Sequence, residues 1–370
     1  MYAFLSNRSA CEALRFLGDA ASTAPRWPSE ARRLPQRGDC ISSQRAYAAY
    51  AKAVGIVSHG VVSTPVDLLV PSASQRSRGR RARLHVWVHD IPPHALIRLS
   101  DSLFVSTPEF VLLQMAGHHP KHQPLIDSFA RDLRAAQAAQ DMANLERPLP
   151  YDNPFAWELK ARLVEMILVT MEFCGSYRLA VADKPTAYRL DPPMTRKRAL
   201  ALLDHVPKLY GRKRVRTALD LAMERPASPM ETALALMLTL PEDFGGYGLP
   251  QPLLNEPLSI PDHEVLWTGG PFVTPDMLWK DSSLVIEYDS DEFHAQQGRR
   301  KATRDASRSN VLAALGHTVL RVTTGTIRAP GELDRLARQV AHRIGCAVPE
   351  ASEVLEIRRG RLHALLTHPQ

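Results

Sequence analysis

The sequence predicts a mixed α/β protein, α+β overall, with more than one domain. Three observations carry that expectation. Short β-type runs punctuate residues 58–105. Apolar residues recur at helical spacing from 125 to 220. Between 229 and 323 a helix, three strands, a second helix and a strand follow one another. With 370 residues, 45% of them hydrophobic, the chain has material for two or three cores.

Composition narrows the setting. Lysine and arginine total 46 against 39 acidic residues, a formal charge of +7, so the surface attracts polyanions at moderate salt. Cys11, Cys40, Cys174 and Cys346 lie far apart without a Cys-x-x-Cys pair, which argues against a structural zinc site and for reduced, buried thiols. No secretory leader pattern opens the chain. The richest apolar run, 163–171, contains Glu165 and stops at Glu172, too short and too charged to span a bilayer. A cytoplasmic protein is expected.

Residues 1–40 hold one helix-like pattern, 10–17, followed by a Pro- and Arg-rich stretch that reads as a loose connection. Residues 41–124 read as a small mixed α/β domain with strands over 67–70, 84–88 and 103–105. The loop 74–83, which carries Arg76, Arg78, Arg80 and Arg81, is its densest positive patch and a candidate for phosphate contact. Ser106-Thr-Pro-Glu109 supplies capping residues and a helix-compatible proline for a helix over 110–116. His118, His119 and His122 follow in a loop without an acid or cysteine at ligand spacing. Residues 125–225 read as mostly helical, with helices over 125–145, 157–173 and 200–224. The last is basic: Lys208, Arg212, Lys213, Arg214 and Arg216 make either a solvated face or a surface that contacts phosphates.

Pro226 marks a boundary. Ser228 is placed as a helix cap, with Pro229 at the first position and Glu231 three residues after the cap. Within 226–346 the expected order is a helix over 229–240, a Gly-rich loop over 242–252, and strands near 258–267, 272–279 and 283–289. A charged helix over 299–315 stopped by Gly316, a strand over 317–323 and a helix over 330–344 complete it; 347–370 is left as a tail. Asp276 falls on one strand and Glu287 on the next. The two-residue spacing of Glu287 and Asp289 puts both on one face. Carboxylates gathered this way suit a hard divalent cation that works on a phosphodiester.

Taken in order, Ser-Pro-Met-Glu231, Pro-Asp276, Val-Ile-Glu287-Tyr-Asp289, His294, the helix bearing Asp305 and Arg308, and Gly-His-Thr-Val-Leu-Arg-Val-Thr resemble a known family. They are similar to bacterial PD-(D/E)XK nuclease-like domains related to very-short-patch repair endonucleases. The resemblance implies a restriction-endonuclease-like αβββαβ core and a metal-dependent DNA endonuclease. Asp276 and Glu287 would bind Mg²⁺, or Mn²⁺ in its place, with the Tyr288 carbonyl as a further ligand. Glu231 matches the accessory acid, His294 would shuttle a proton or hold water, and Arg308 would contact DNA. Asp289 stands where the family has lysine. Lys301 shares a helix face with Asp305, Arg308 and Leu312 and is the candidate replacement cation; an ordinary ion pair with Asp305 explains it equally well.

Upstream, Ser58-His59, the short strands and Ser106-Thr-Pro-Glu109 resemble the C-terminal part of AbiEi-type antitoxins, the DNA-binding members of bacterial abortive-infection systems. That likeness implies DNA binding and a toxin or repair partner, while a plain scaffold domain fits the same residues. Two functions therefore stand at this point. One is an endonuclease. The other is a non-catalytic, antitoxin-like DNA-binding regulator that keeps the nuclease fold as a scaffold. The pair Asp276 and Glu287 favours the first, and the missing lysine favours the second.

Overall fold

The computed structural model describes residues 2–26, 33–35, 61–117, 154–206, 208–265, 270–289 and 308–367. Helices and sheets mix in it, as expected. The chain divides into two compact units, one of Met1–Ala130 and Arg162–Leu221, the other of Arg131–Ala161 and Ala222–Pro369. Of the segment expected to be mostly helical over 125–225, residues 162–221 fall in the first unit, while 154–161 and 222–225 fall in the second.

The first unit is built on a six-stranded sheet. Its strands are β1 (Ala3–Leu5), β2 (Val66–Val70), β3 (Ser77–Arg78), β4 (Ala82–Val86), β5 (Leu96–Arg98) and β6 (Leu103–Ser106), in the order β3-β4-β2-β1-β6-β5. β1 runs parallel to β6 and antiparallel to β2, so residues 3–5, for which the sequence predicts no strand, form a central one. Its three residues are all buried. A strand that short shows no alternation for a sequence pattern to catch.

Helices α1 (Asn7–Leu17), α2 (Ala20–Thr23), α3 (Pro108–Gly117), α4 (Pro154–Cys174), α5 (Arg196–Asp204) and α6 (Arg212–Leu221) follow, with the small β7–β8 ribbon (Tyr177–Arg178, Ala187–Tyr188) after α4. The single helix expected over 200–224 is thus two, α5 and α6. The break centres on Gly211, whose φ of +92° and closeness to α3 admit no side chain: a Cβ there would lie 2.5 Å from the Ala116 carbonyl oxygen.

In the second unit, α7 (Pro229–Thr239) starts as the capping pattern requires. The Glu231 N–H donates to Ser228 Oγ at 3.1 Å. Strands β9 (Leu253–Leu254), β12 (Met277–Trp279), β13 (Leu284–Asp289) and β14 (Thr318–Thr323) form a sheet in the order β14-β13-β12-β9. The first two junctions, β9–β12 and β12–β13, are antiparallel, and β13–β14 is parallel. A parallel pair needs a crossover. Helical turns at 308–314 lie on that connection. Leu284, Val285 and Ile286 are all fully buried, as a strand covered on both faces demands.

The first sheet strand is β9, not the expected 258–267. Residues 258–259 instead form β10 (Leu258–Ser259), which pairs with β11 (Phe272–Val273) in a separate ribbon. The expected strand over 272–279 is accordingly split into β11 and β12. Pro261 and Pro275 explain both cuts, since a proline cannot donate to a ladder.

Beyond β14 lie α8 (Thr324–Arg328), α9 (Pro330–Ile344) and α10 (Glu353–Thr367). Residues 353–367, expected as part of a tail, are therefore helical. Helix α10 packs on α7 and buries Leu355, Leu362, Leu365 and Leu366. The backbone at Gly245 meets it so closely that a Cβ would lie 2.1 Å from the Arg358 carbonyl oxygen. Cys11 and Cys174 are buried as expected, but Cys346, just after α9, is exposed. No described helix is long and apolar enough to cross a membrane.

Candidate functional site

The β12–β13 ladder builds the site. Met277 pairs with Ile286 and Leu278 with Val285. One step further along the antiparallel register, Asp276 falls opposite Glu287, on the face that also bears Leu278 and Val285. Those two side chains pack with Val311 and Leu312, so the turns at 308–314 cover that face. Arg308 lies four residues before Leu312 and points the same way. Its Nη2 donates to the Thr274 carbonyl at 2.7 Å and stands 3.7 Å from Glu287 Oε2.

Backbone and amide groups fix the acids. The Tyr288 N–H donates to Asp276 Oδ2 at 2.6 Å. Glu231 Oε2 accepts from the Ala227 N–H at 3.0 Å and from Asn255 Nδ2 at 2.9 Å. Asn255, in a left-handed conformation at φ 47°, also donates its backbone N–H to the Asp276 carbonyl at 3.2 Å. Asn255 therefore ties Glu231 to the strand that carries Asp276. Sequence reasoning missed it. The only available signal was an Asn after an apolar pair and two residues before Pro257, a common turn pattern.

The electrostatics are unfavourable for charge. Asp276 keeps some exposed surface, yet the atoms packed around it desolvate the carboxyl. That burial, together with the Glu231 and Glu287 carboxylates, holds it well above the usual carboxylate range, against the opposing pull of the Tyr288 N–H and Arg308. Burial also raises Glu231, against its hydrogen bonds from Asn255, Ala227 and Ser228. Such a cluster gains from any cation that enters it.

Among the described residues, no group of three or more His, Cys, Asp or Glu side chains is arranged to hold a metal ion. The donor chemistry still fits Mg²⁺. That ion is commonly held by only one or two carboxylates, with waters and phosphate oxygens in its other positions, and Asp276 and Glu287 are such a pair. Glu231 is committed through Oε2 to its helix cap and to Asn255. It acts on the pair through its charge.

The other expected residues part ways. Asp289 lies 3.8 Å from Arg321 Nη1, on the strand next to it, and its side chain is about one-third exposed. His294, Lys301 and Asp305 lie outside the described residues, as do Ser58, His59, His118, His119 and His122. Arg76, Arg78, Arg80 and Arg81 belong to the first unit, around the β3–β4 turn that the Gly79 N–H to Ala82 carbonyl bond closes at 2.9 Å. Arg76, Arg80 and Arg81 are exposed there. Charge on an edge strand also blocks pairing with another chain, which is reason enough for arginines at β3. Lys208, Arg212, Lys213 and Arg214 surround the α5–α6 junction, also in the first unit. Lys208 and Lys213 are exposed, whereas Arg212 donates to the Leu203 carbonyl and Arg214 to the Ala116 carbonyl, each at 3.2 Å.

No family model matches the chain, and no solved structure matches it. It is 32% identical over 187 residues to Rv2248 and MT2308, two uncharacterized proteins of Mycobacterium tuberculosis. The match covers 46% of this chain and 63% of each relative, so the chain spans less than two thirds of the curated relatives it matches.

Proposed function

We propose that the second unit is a metal-dependent endodeoxyribonuclease site of the PD-(D/E)XK kind, working in the cytoplasm on DNA in repair or in defence against foreign DNA. The observation that carries this reading is the placement of Asp276 opposite Glu287 at the end of a β-ladder, with Glu231 adding a third charge. Carboxylates crowded at that cost are spent where chemistry needs them. The sheet order supports it, with three antiparallel strands, a crossover bearing a helix and a parallel fourth strand.

Asp276 and Glu287 would hold Mg²⁺ or Mn²⁺. The ion, when bound, would polarise a phosphoryl oxygen and supply a water of lowered pKa. Around it the chain's own groups position and balance. The Tyr288 N–H sets the orientation of Asp276 and favours its ionised form. Asn255 keeps Glu231 turned toward its helix cap. Arg308 offers positive charge beside Glu287, on the side of the sheet where a phosphate would approach, and so takes up the work that lysine does in the family motif.

A second reading, the non-catalytic DNA-binding regulator with a toxin or repair partner, draws on Asp289. That residue has an arginine for a neighbour and brings negative charge to the position where the motif has a positive one. Cleavage assays separate the two. Wild-type protein with Mg²⁺ or Mn²⁺ should nick duplex, mismatched, methylated or single-stranded DNA. Asp276→Asn and Glu287→Gln should cut at least a hundred-fold more slowly, the size of loss expected when one charge-stabilising group is removed. Binding without cleavage on every substrate would establish the regulator instead.

A further inference from the structure

In the first unit, the basic residues around the α5–α6 junction sort into two sets. Arg196 pairs with Asp220 at 2.6 Å and Arg198 with Glu109 at 2.9 Å, while Arg212 donates to the Leu203 carbonyl and lies 3.4 Å from Asp204 Oδ1. These arginines serve the fold. Lys208, Lys213 and Arg216 are exposed, and Lys213 and Arg216 share a face of α6 three residues apart.

Between Lys208 and Lys213 stands Tyr210, 58% exposed, one of the few large hydrophobic side chains on the described surface. It is not a loose side chain. Arg214 Nη2 donates to the Tyr210 hydroxyl at 3.3 Å, and its guanidinium lies 5.4 Å from the ring centroid. The same guanidinium donates through Nη1 to the Ala116 carbonyl at 3.2 Å, and Gly211 brings the backbone hard against that carbonyl. The loop is thereby fastened to the end of α3 with the ring held outward among cations. Packing does not ask for this. An outward aromatic ring flanked by phosphate-binding charges suits the exposed face of a nucleobase, which a single strand offers and a duplex conceals.

We propose that the α5–α6 junction binds a single strand of nucleic acid, with Tyr210 stacking on an unpaired base and Lys208, Lys213 and Arg216 holding the phosphates beside it. This site is separate from the acid cluster of the second unit and does not depend on cleavage. The test is fluorescence anisotropy with the full chain in EDTA, using a labelled oligothymidine of about 16 nucleotides, the upper site size of a small single-strand module. A duplex of equal length and phosphatidylglycerol vesicles serve as the other arms.

Tyr210→Leu keeps the apolar bulk and should weaken single-strand binding roughly ten-fold, with duplex binding unchanged. Tyr210→Phe keeps the ring and should bind like wild type. Replacing Lys208, Lys213 and Arg216 together by Gln should weaken both nucleic acids and lower the salt slope for the single strand by about 2, three phosphates at about 0.7 each. The triple Gln variant should melt like wild type, since those three side chains are exposed, and Tyr210→Phe, which loses the same Arg214 bond as Tyr210→Leu, controls for that bond. Equal single-strand affinity for wild type and Tyr210→Leu overturns the proposal. So does tighter binding to the vesicles than to the oligonucleotide, with dependence on Tyr210, which would make the surface a membrane contact.

Discussion

In the first unit Glu172 accepts from Arg15 Nε at 2.8 Å, from Arg15 Nη2 at 2.7 Å and from the Leu179 N–H at 3.0 Å, and Asp67 lies 2.7 Å from His85 Nε2. In the second unit Asp276 faces Glu231 and Glu287, and Arg308 approaches no nearer to Glu287 than 3.7 Å. Both units bury acids: in the first these two lie against basic side chains at hydrogen-bond distance, while in the second Asp276 and Glu231 are held by backbone and amide donors. Acids set against bases are architecture: they fix α1 on α4 and β2 on β4. Acids set against one another cost stability, and such cost is retained where a ligand repays it. Glu165 in α4 is the exception in the first unit. It is buried, and burial pushes its carboxyl up to about 8.

The comparison can be broken at several points. The largest effect is expected from ending the chain at Gly345, which strips Leu355, Leu362, Leu365 and Leu366 of α10 from the second unit. At about 1.5–3 kcal/mol for each buried leucine, the second unit should lose its cooperative unfolding transition in urea while the transition of the first survives. Arg15→Met comes next. It leaves Glu172 buried without its cation and should cost about 3–5 kcal/mol in chemical denaturation. A cost below about 1 kcal/mol would mean that the pair is not structural.

Glu165 gives a pH signature. Its folded value lies above the ordinary 4.5, so the folded state holds the proton more tightly than the unfolded chain. The stability it contributes is full below about pH 4.5 and is lost as pH rises toward about 8. The slope approaches about 1.4 kcal/mol per pH unit. Glu165→Gln should flatten that slope and stabilise the protein at pH 8. A mutant with the wild-type pH profile would show that this carboxyl is hydrated.

The smallest expected effect has the opposite sign from most mutations at buried sites. Asp276→Asn keeps an oxygen for the Tyr288 N–H and removes one of the crowded charges. Without metal it should stabilise the protein by about 1 kcal/mol, as for like charges in close contact under water-like screening. Destabilisation would place Asp276 with the architectural acids.

Much of this contrast was legible in the sequence, and the residues show why. Asp276, Glu287 and Arg308 were readable because β13, β14 and the 308–314 turns carry long apolar patterns that set which way each side chain points. Ser228 and Glu231 followed from capping chemistry. What stayed hidden depends on distant contacts. β1 and β9 have three and two residues and become strands only beside their partners. Thr274 reaches the site through its backbone carbonyl, which leaves no residue-type signature, and Asn255 reaches Glu231 through an amide side chain that its sequence context marks only as a turn. Helix α10 was masked by Gly360 and by its run of arginines, although Arg359 in fact lies 4.1 Å over the Tyr247 ring.

The acid cluster is most directly tested by the melting temperature of the purified full chain with and without Mg²⁺ or Mn²⁺, compared with Asp276→Asn and Glu287→Gln. A cation that binds only the folded state at 100 times its Kd stabilises by about 2.7 kcal/mol. Wild type should therefore melt several degrees higher when metal is added, and both mutants should lose that shift while remaining folded. No shift in the wild type, or the same shift in Asp276→Asn, would contradict a cation site at Asp276 and Glu287.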